Sequence, residues 1–196
     1  MILAQTFYTQ ETTLVARQLL GCFLVHLDDD ETTIGKIVET EAYLWDDPAS
    51  HAFGGQTRRN SVMFGPAGHA YIYLIYGMHH CVNAVTGPEG RGEAVLIRAL
   101  EPVQGIASMQ KRRRTEKIVS LCNGPAKLTE ALALPLSFNG VPLFKGSLQI
   151  WSPDSLPAAP FEEITDIVET TRVGITKAKE RPLRFYLKNN RFVSQK

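Results

Sequence analysis

The stretch 71–85 constrains the fold of this chain more than any other. It is dominated by β-branched and aromatic residues and broken by Gly77, and so predicts two strands of a hairpin. Strand signals recur on both sides of it. Residues 22–27 and 34–43 predict two strands joined by a turn at Asp28-Asp29-Asp30, residues 94–100 a further strand, and 148–151 and 183–188 two short ones. Helices are expected at 11–20, where Leu14, Val15, Leu19 and Leu20 form one stripe ahead of Gly21, and at 103–114 and 125–133. Mostly antiparallel strands mixed with helices imply an α+β fold. Within 34–43, alternation puts Val38, Thr40 and Ala42 on one face and Glu39, Glu41 and Tyr43 on the other. Residues 44–69 are rich in Asp, Gly, Pro, Asn and Arg and predict a long irregular loop; such loops inside a compact domain are usually functional.

No internal repeat or linker divides the chain, so residues 1–196 read as a single domain. There is no apolar run of membrane-spanning length and no signal-peptide pattern at the N-terminus. Cys22, Cys81 and Cys122 are odd in number and widely spaced, which suits a reducing intracellular compartment rather than a disulfide framework. The net charge of +1 does not announce a nucleic-acid partner, but the charges are segregated. Residues 28–47 carry eight acidic side chains and Lys36 as their single basic one, whereas residues 172–196 carry eight basic side chains against Glu180 alone. Lys111-Arg112-Arg113-Arg114 forms a second basic cluster. If the two clusters share a face they make a phosphate-binding surface; otherwise they are solvated stretches.

Glu41 is the first candidate for chemistry. A carboxylate on a half-buried strand beside Tyr43 has its pKa raised by desolvation and is suited to act as a general base, unless it is a surface glutamate in a salt bridge. Tyr71 and Tyr73 share a strand face and Tyr76 precedes Gly77 at the expected hairpin tip, an arrangement suited to stacking bases or wedging into DNA, or to a plain core. His51, His69, His79, His80 and Cys81 invite a metal site, but no HExxH or CxxC spacing supports one, and no metal or cofactor is expected. Gly65-Pro-Ala-Gly-His69 lacks the ending of a phosphate loop.

Taken in order, Ile37-Val-Glu-Thr-Glu-Ala-Tyr43, Asp47-Pro-Ala-Ser-His51, Arg59-Asn60, Met63-Phe-Gly-Pro66, Tyr71-Ile-Tyr-Leu-Ile-Tyr-Gly-Met78, Leu96-Ile-Arg-Ala-Leu-Glu-Pro102, Gly124-Pro-Ala-Lys-Leu128 and Pro182-Leu-Arg-Phe-Tyr186 make the chain recognisable. It resembles the alkyladenine (3-methyladenine) DNA glycosylases that lack a helix-hairpin-helix motif, over about residues 9–188. The resemblance implies roles residue by residue. Glu41 corresponds to the general base that activates water, with Arg98 and the carbonyl of Val173 helping to hold that water. Tyr43, His51 and Tyr73 correspond to the walls around a flipped base, and Asn83 to the side chain that crowds a 2-amino group. Tyr76 corresponds to the wedge, and Met78, Lys127, Lys177, Lys179 and Arg184 are assigned with it to DNA binding. Trp45 stands where the family usually has glycine, in a loop one residue shorter than the family pattern.

The expectation is therefore an α+β domain with a curved, mostly antiparallel sheet, flanking helices and a protruding β-hairpin. Its expected activity is monofunctional hydrolysis of the N-glycosidic bond of alkylated or deaminated purines: 3-methyladenine, 7-methylguanine, hypoxanthine or ethenoadenine. The partner is double-stranded DNA engaged through the minor groove by a monomer, with no membrane, in the cytoplasm or nucleoid if bacterial. The alternatives are a glycosylase/lyase using Lys127 as an amine and a non-catalytic nucleic-acid binding module. Glu39, on the same nominal face as Glu41, is expected to be dispensable for catalysis.

Overall fold

A computed structural model describes residues 1–29, 31–75, 77–156 and 166–194. Tyr76 and Lys196 lie outside the described residues. The chain is α+β. Helices α1 (Gln5–Tyr8), α2 (Thr12–Gln18), α3 (Ile106–Arg113) and α4 (Pro125–Ala131) accompany one sheet. Its strands are β1 (Phe23–Leu27), β2 (Thr32–Tyr43), β3 (Ala70–Ile75), β4 (His79–Thr86), β5 (Glu93–Gln104), β6 (Leu148–Trp151), β7 (Ile167–Thr170) and β8 (Arg184–Leu187). They run β3-β4-β5-β2-β1-β6, with β8 also pairing β2 and β7 alongside β8, and every pairing is antiparallel. The long strand β2 thus has β5 along one edge, while β1 and β8 share the other.

Alternation sorts side chains to the two faces of this curled sheet. Ala70 and Ile72 of β3, Val82 and Ala84 of β4 and Val95 and Ile97 of β5 join Val15, Ala16 and Leu19 near α2 and Leu128 and Ala131 of α4 in the main core. The alternate residues Tyr71 and Val85 join a second cluster with Ala52, Met63 and Ala94, against which Tyr73 packs. Between β3 and β4, Gly77 adopts a left-handed φ of 73° that suits a tight reversal, and Leu74 and Met78 stand exposed near the tip.

Strict alternation fails in β2. Ile37 pairs with Leu100, Glu39 with Ala99 and Thr40 with Ile97, so Val38 and Arg98 are extra residues in a pair of offset bulges. Ile37 and Ala42 lie in the main core and Thr40 Oγ1 donates to the Ala16 carbonyl, whereas Val38 packs with Ala99 and Phe192 in a separate cluster. Val38 therefore does not share a face with Thr40 and Ala42. The helix expected over 103–114 starts later, because β5 continues to Gln104. Gly105 turns the chain with φ 74°, where a Cβ would come within 2.6 Å of Thr33 Cγ2.

Candidate active site

The bulges decide where the charges meet. Glu39 and Glu41 of β2 are both completely buried, and Arg98 of β5 lies between them with its side chain 11% exposed. Arg98 Nε is 3.2 Å from Glu39 Oε1, and its Nη1 is 3.5 Å from Glu41 Oε1. Glu41 also accepts hydrogen bonds from the Val173 amide at 2.8 Å and from the Tyr43 hydroxyl at 2.9 Å. Burial pushes the Glu41 carboxyl above its ordinary range. Arg98, the Val173 N–H and the Tyr43 hydroxyl oppose that rise without cancelling it, and the charge of Glu39 adds to it.

Above Glu41 opens a cavity of about 680 Å³, a size suited to a small organic ligand. Tyr43, His51, Tyr71, Tyr73, Asn83 and Arg98 are among its lining residues, as are Lys127, Val173 and Lys177. All three groups bonded or paired to Glu41 belong to lining residues, so the carboxylate lies one layer beneath the wall. Tyr73 and His51 meet edge to face at 4.6 Å, and His51 Nδ1 lies 3.0 Å from the Tyr71 hydroxyl. The short loop containing Trp45 therefore still delivers His51 to the cavity. Burial, with a smaller effect from Arg59, lowers the His51 pKa and favours the neutral ring. Burial likewise pushes the Tyr71 hydroxyl up to about 12 and the Cys81 thiol up to about 11, which keeps both protonated near neutral pH. Asn83 Nδ2 donates to the Tyr71 carbonyl across the β3–β4 pair, fixing its amide in the wall.

The structure thus gathers Glu41, Arg98, Val173, Tyr43, His51, Tyr73 and Asn83 at one place. Lys127 donates to Asn123 Oδ1 at 2.8 Å, and Lys177 and Lys179 are exposed. Arg184 is not available to phosphate as expected: its side chain is 6% exposed, and its Nε binds Glu39 at 2.7 Å. Three other basic residues of the segment are paired with acids. Arg172 is buried in a two-pronged ion pair with Asp47, while Arg181 and Lys188 face Asp46 and Asp166. In the other cluster Arg112 and Arg113 tie α3 to its surroundings, through the Ala131 carbonyl and through Glu130 with the Leu121 carbonyl.

Sequence reasoning assigned no role to several residues that build the site. The Asp47–Arg172 pair lies behind Tyr43, whose ring centroid is 4.7 Å from the guanidinium carbon. Asn60 is buried and donates to the carbonyls of His51 and Gly55, which shapes the loop that carries His51. The sequence motifs Asp47-Pro-Ala-Ser-His51 and Arg59-Asn60 contained the signal without revealing these contacts. Glu39, a spare strand-face carboxylate by its spacing, is fully buried between Arg98 and Arg184. Among the described residues, no three His, Cys, Asp or Glu side chains group in a way that could hold a metal ion, and no helix is long and apolar enough to cross a membrane.

An aromatic-walled cavity with a guanidinium in its wall and a buried carboxylate beneath can bind a planar ring and polarise a water beside it. Comparison with known proteins gives that chemistry a family. The sequence pattern of methylpurine-DNA glycosylase (MPG) matches residues 6–191. A protein of Methanoculleus marisnigri is 57% identical over 196 residues, covering 100% of both chains, and one of Carboxydothermus hydrogenoformans is 53% identical with the same coverage. A protein of Rhodopseudomonas palustris is 46% identical, covering 99% of this chain and 88% of its own. Each bears the name "Putative 3-methyladenine DNA glycosylase". The chain belongs to the methylpurine-DNA glycosylase family. It is accordingly a DNA glycosylase, a hydrolase of DNA repair whose substrate is DNA.

Proposed function

We propose that this enzyme is a monofunctional glycosylase that flips alkylated or deaminated purines from duplex DNA and hydrolyses their N-glycosidic bond. The candidate substrates are 3-methyladenine, 7-methylguanine, hypoxanthine and ethenoadenine. The observation that carries the reading is Glu41: fully buried, held above its ordinary pKa range and bonded to groups that line the aromatic cavity. In this mechanism a water lies between Glu41, Arg98 and the carbonyl of Val173. Glu41 takes its proton while the oxygen bonds to the sugar C1′ and the C1′–N bond electrons leave with the purine. A nearby carboxylate also counters the oxocarbenium-like charge that develops on the sugar. 3-Methyladenine and 7-methylguanine are cationic in the nucleotide and depart neutral, so they need no proton, whereas hypoxanthine and ethenoadenine are neutral and must take up a proton as they leave.

Tyr43, His51 and Tyr73 enclose the flipped base, and Asn83 crowds a 2-amino group and so disfavours guanine. The hairpin with Met78 exposed at its tip, and with Tyr76, enters the minor groove and fills the vacated stack. Lys127, Lys177 and Lys179 lie where the backbone phosphates approach, and the enzyme acts as a monomer on intracellular DNA. The test is release of free base from methylated duplex DNA in EDTA, with the strand left uncut. Lys127 lines the cavity, which favours a second reading, a lyase that forms a Schiff base. Borohydride trapping of a covalent adduct would establish that reading, and absence of base release would overturn both.

A further inference from the structure

Glu39 has the contacts of a group that positions others. Both its oxygens are engaged: Oε1 receives Arg184 Nε at 2.7 Å and the Ser194 hydroxyl at 3.0 Å and lies 3.2 Å from Arg98 Nε as an ion pair, and Oε2 receives the Ser194 amide at 2.7 Å. The Ser194 hydroxyl in turn accepts from Arg98 Nε at 3.2 Å. Arg98 is thus anchored by its Nε to Glu39 and Ser194, while its Nη1 reaches Glu41 at a looser 3.5 Å. Phe192 seats this segment against Val38, the extra residue of the β2 bulge, and Ala99, next to the bulged Arg98 of β5. We propose that Glu39 and Ser194 are positioning residues of the glycosylase reaction, holding Arg98 off Glu41 so that the carboxylate keeps its reach to water.

The physical reason is competition between two buried carboxylates for one guanidinium. A buried charge is costly unless paired, and Glu39 is matched by Arg184 as well as Arg98. Without the negative charge of Glu39, Glu41 becomes the nearest counter-ion of Arg98. The guanidinium then closes onto Glu41, occupies the lone pairs that face water and stabilises the ionised form. The groups around Glu41 are Glu39 and Tyr43 of β2, Arg98 of β5, Arg184 of β8, Cys81 of β4 and the Val173 amide, with Lys127 and Lys177 on the same cavity. Of these, Glu39 is the one whose charge raises the Glu41 pKa and also restrains Arg98.

This inference rests on the proposed role of Glu41, and one experiment separates the two. Single-turnover base release is measured against pH for wild type, Glu41→Gln, Glu39→Gln, Ser194→Ala and Ser194→Thr, with lesion-DNA affinity and thermal unfolding recorded for each. Glu39→Gln is expected to slow base release at least about tenfold, the factor carried by one hydrogen bond to a charged group. Its affinity stays near wild type, and the acidic limb moves to lower pH as Arg98 closes on Glu41. Ser194→Ala shows the same changes at about threefold to tenfold, and Ser194→Thr restores rate and profile. Should Glu39→Gln unfold because the buried Glu39–Arg184 ion pair is lost, the serine pair alone decides. An unmoved acidic limb in the folded variants, or a rate loss that only tracks the unfolded fraction, overturns the proposal. Full activity of Glu41→Gln overturns the underlying assignment instead.

Discussion

Replacing Glu41 by glutamine keeps the shape of the side chain while removing its charge and its capacity to take a proton. A positioned general base contributes about 10²–10⁴-fold, and removing a carboxylate beside an oxocarbenium-like sugar adds to that. Single-turnover excision should therefore fall by at least about a hundredfold. Lesion affinity should change little, because Tyr43, His51 and Tyr73 remain in the cavity wall. The structure adds a second expectation of opposite sign. Glu41 has a folded pKa above its unfolded one, so ionising it opposes folding. Below the ordinary carboxylate range both states are protonated, and wild type and Glu41→Gln should be equally stable. As pH rises through the window between the unfolded and folded pKa values, the wild type loses stability that the glutamine variant retains. Glu41→Gln should therefore be the more stable protein at neutral pH and the less active one, a trade expected where a carboxylate is buried for function rather than for the fold. The assays are rapid-quench base release and thermal unfolding from pH 3 to about 8, across the range in which carboxylates titrate. A variant that loses activity because it is less stable, or that loses less than about tenfold in rate, refutes the general-base argument.

DNA affinity should fall steeply with salt despite the near-neutral total charge, and replacing Lys177 and Lys179 by alanine should make log K against log salt shallower by about one for each phosphate that is no longer neutralised. An unchanged slope would place that segment away from DNA. Asn83→Ser should raise release of guanine relative to hypoxanthine, because a shorter side chain leaves room for a 2-amino group; an unchanged ratio in competition assays removes Asn83 from discrimination. Asp47→Asn breaks a buried ion pair and should destabilise the fold by about 3–5 kcal/mol, seen as a drop of about 6–20 °C in Tm for a chain of this size. It should also weaken lesion binding, since Arg172 supports the Tyr43 ring.

Much of the fold was legible because alternation and burial are properties of short segments. The hairpin around Gly77, the strand ending at Tyr43 and the loop carrying His51 all read directly from residue types. The short elements α1 and β7 were not anticipated. The bulges at Val38 and Arg98 have no compositional signature, so strict alternation misplaced Val38 and made Glu39 look like a spare copy of Glu41. Charge counting failed for a different reason. Arg172 and Arg184 read as part of a basic surface because their partners Asp47 and Glu39 lie 125 and 145 residues earlier, a separation that no local pattern spans.

That long-range pairing explains why the charge segregation of the sequence is not a charge segregation of the molecule. The acidic β2 and the loop after it supply Glu39, Glu41 and Asp47 to the interior, and the segment 172–194 returns Arg184 and Arg172 to meet two of them. Glu41 is left with a shared contact to Arg98, an amide and a hydroxyl, and with no guanidinium of its own. Full pairing would lower its pKa and close it to water; no pairing at all would make its burial prohibitive. The intermediate state requires that Arg98 be held by something else, and Glu39 with Ser194 supplies that hold. The basic segment thus carries the counter-charges of the active site first. Lys177 and Lys179 are exposed between the buried Arg172 and Arg184.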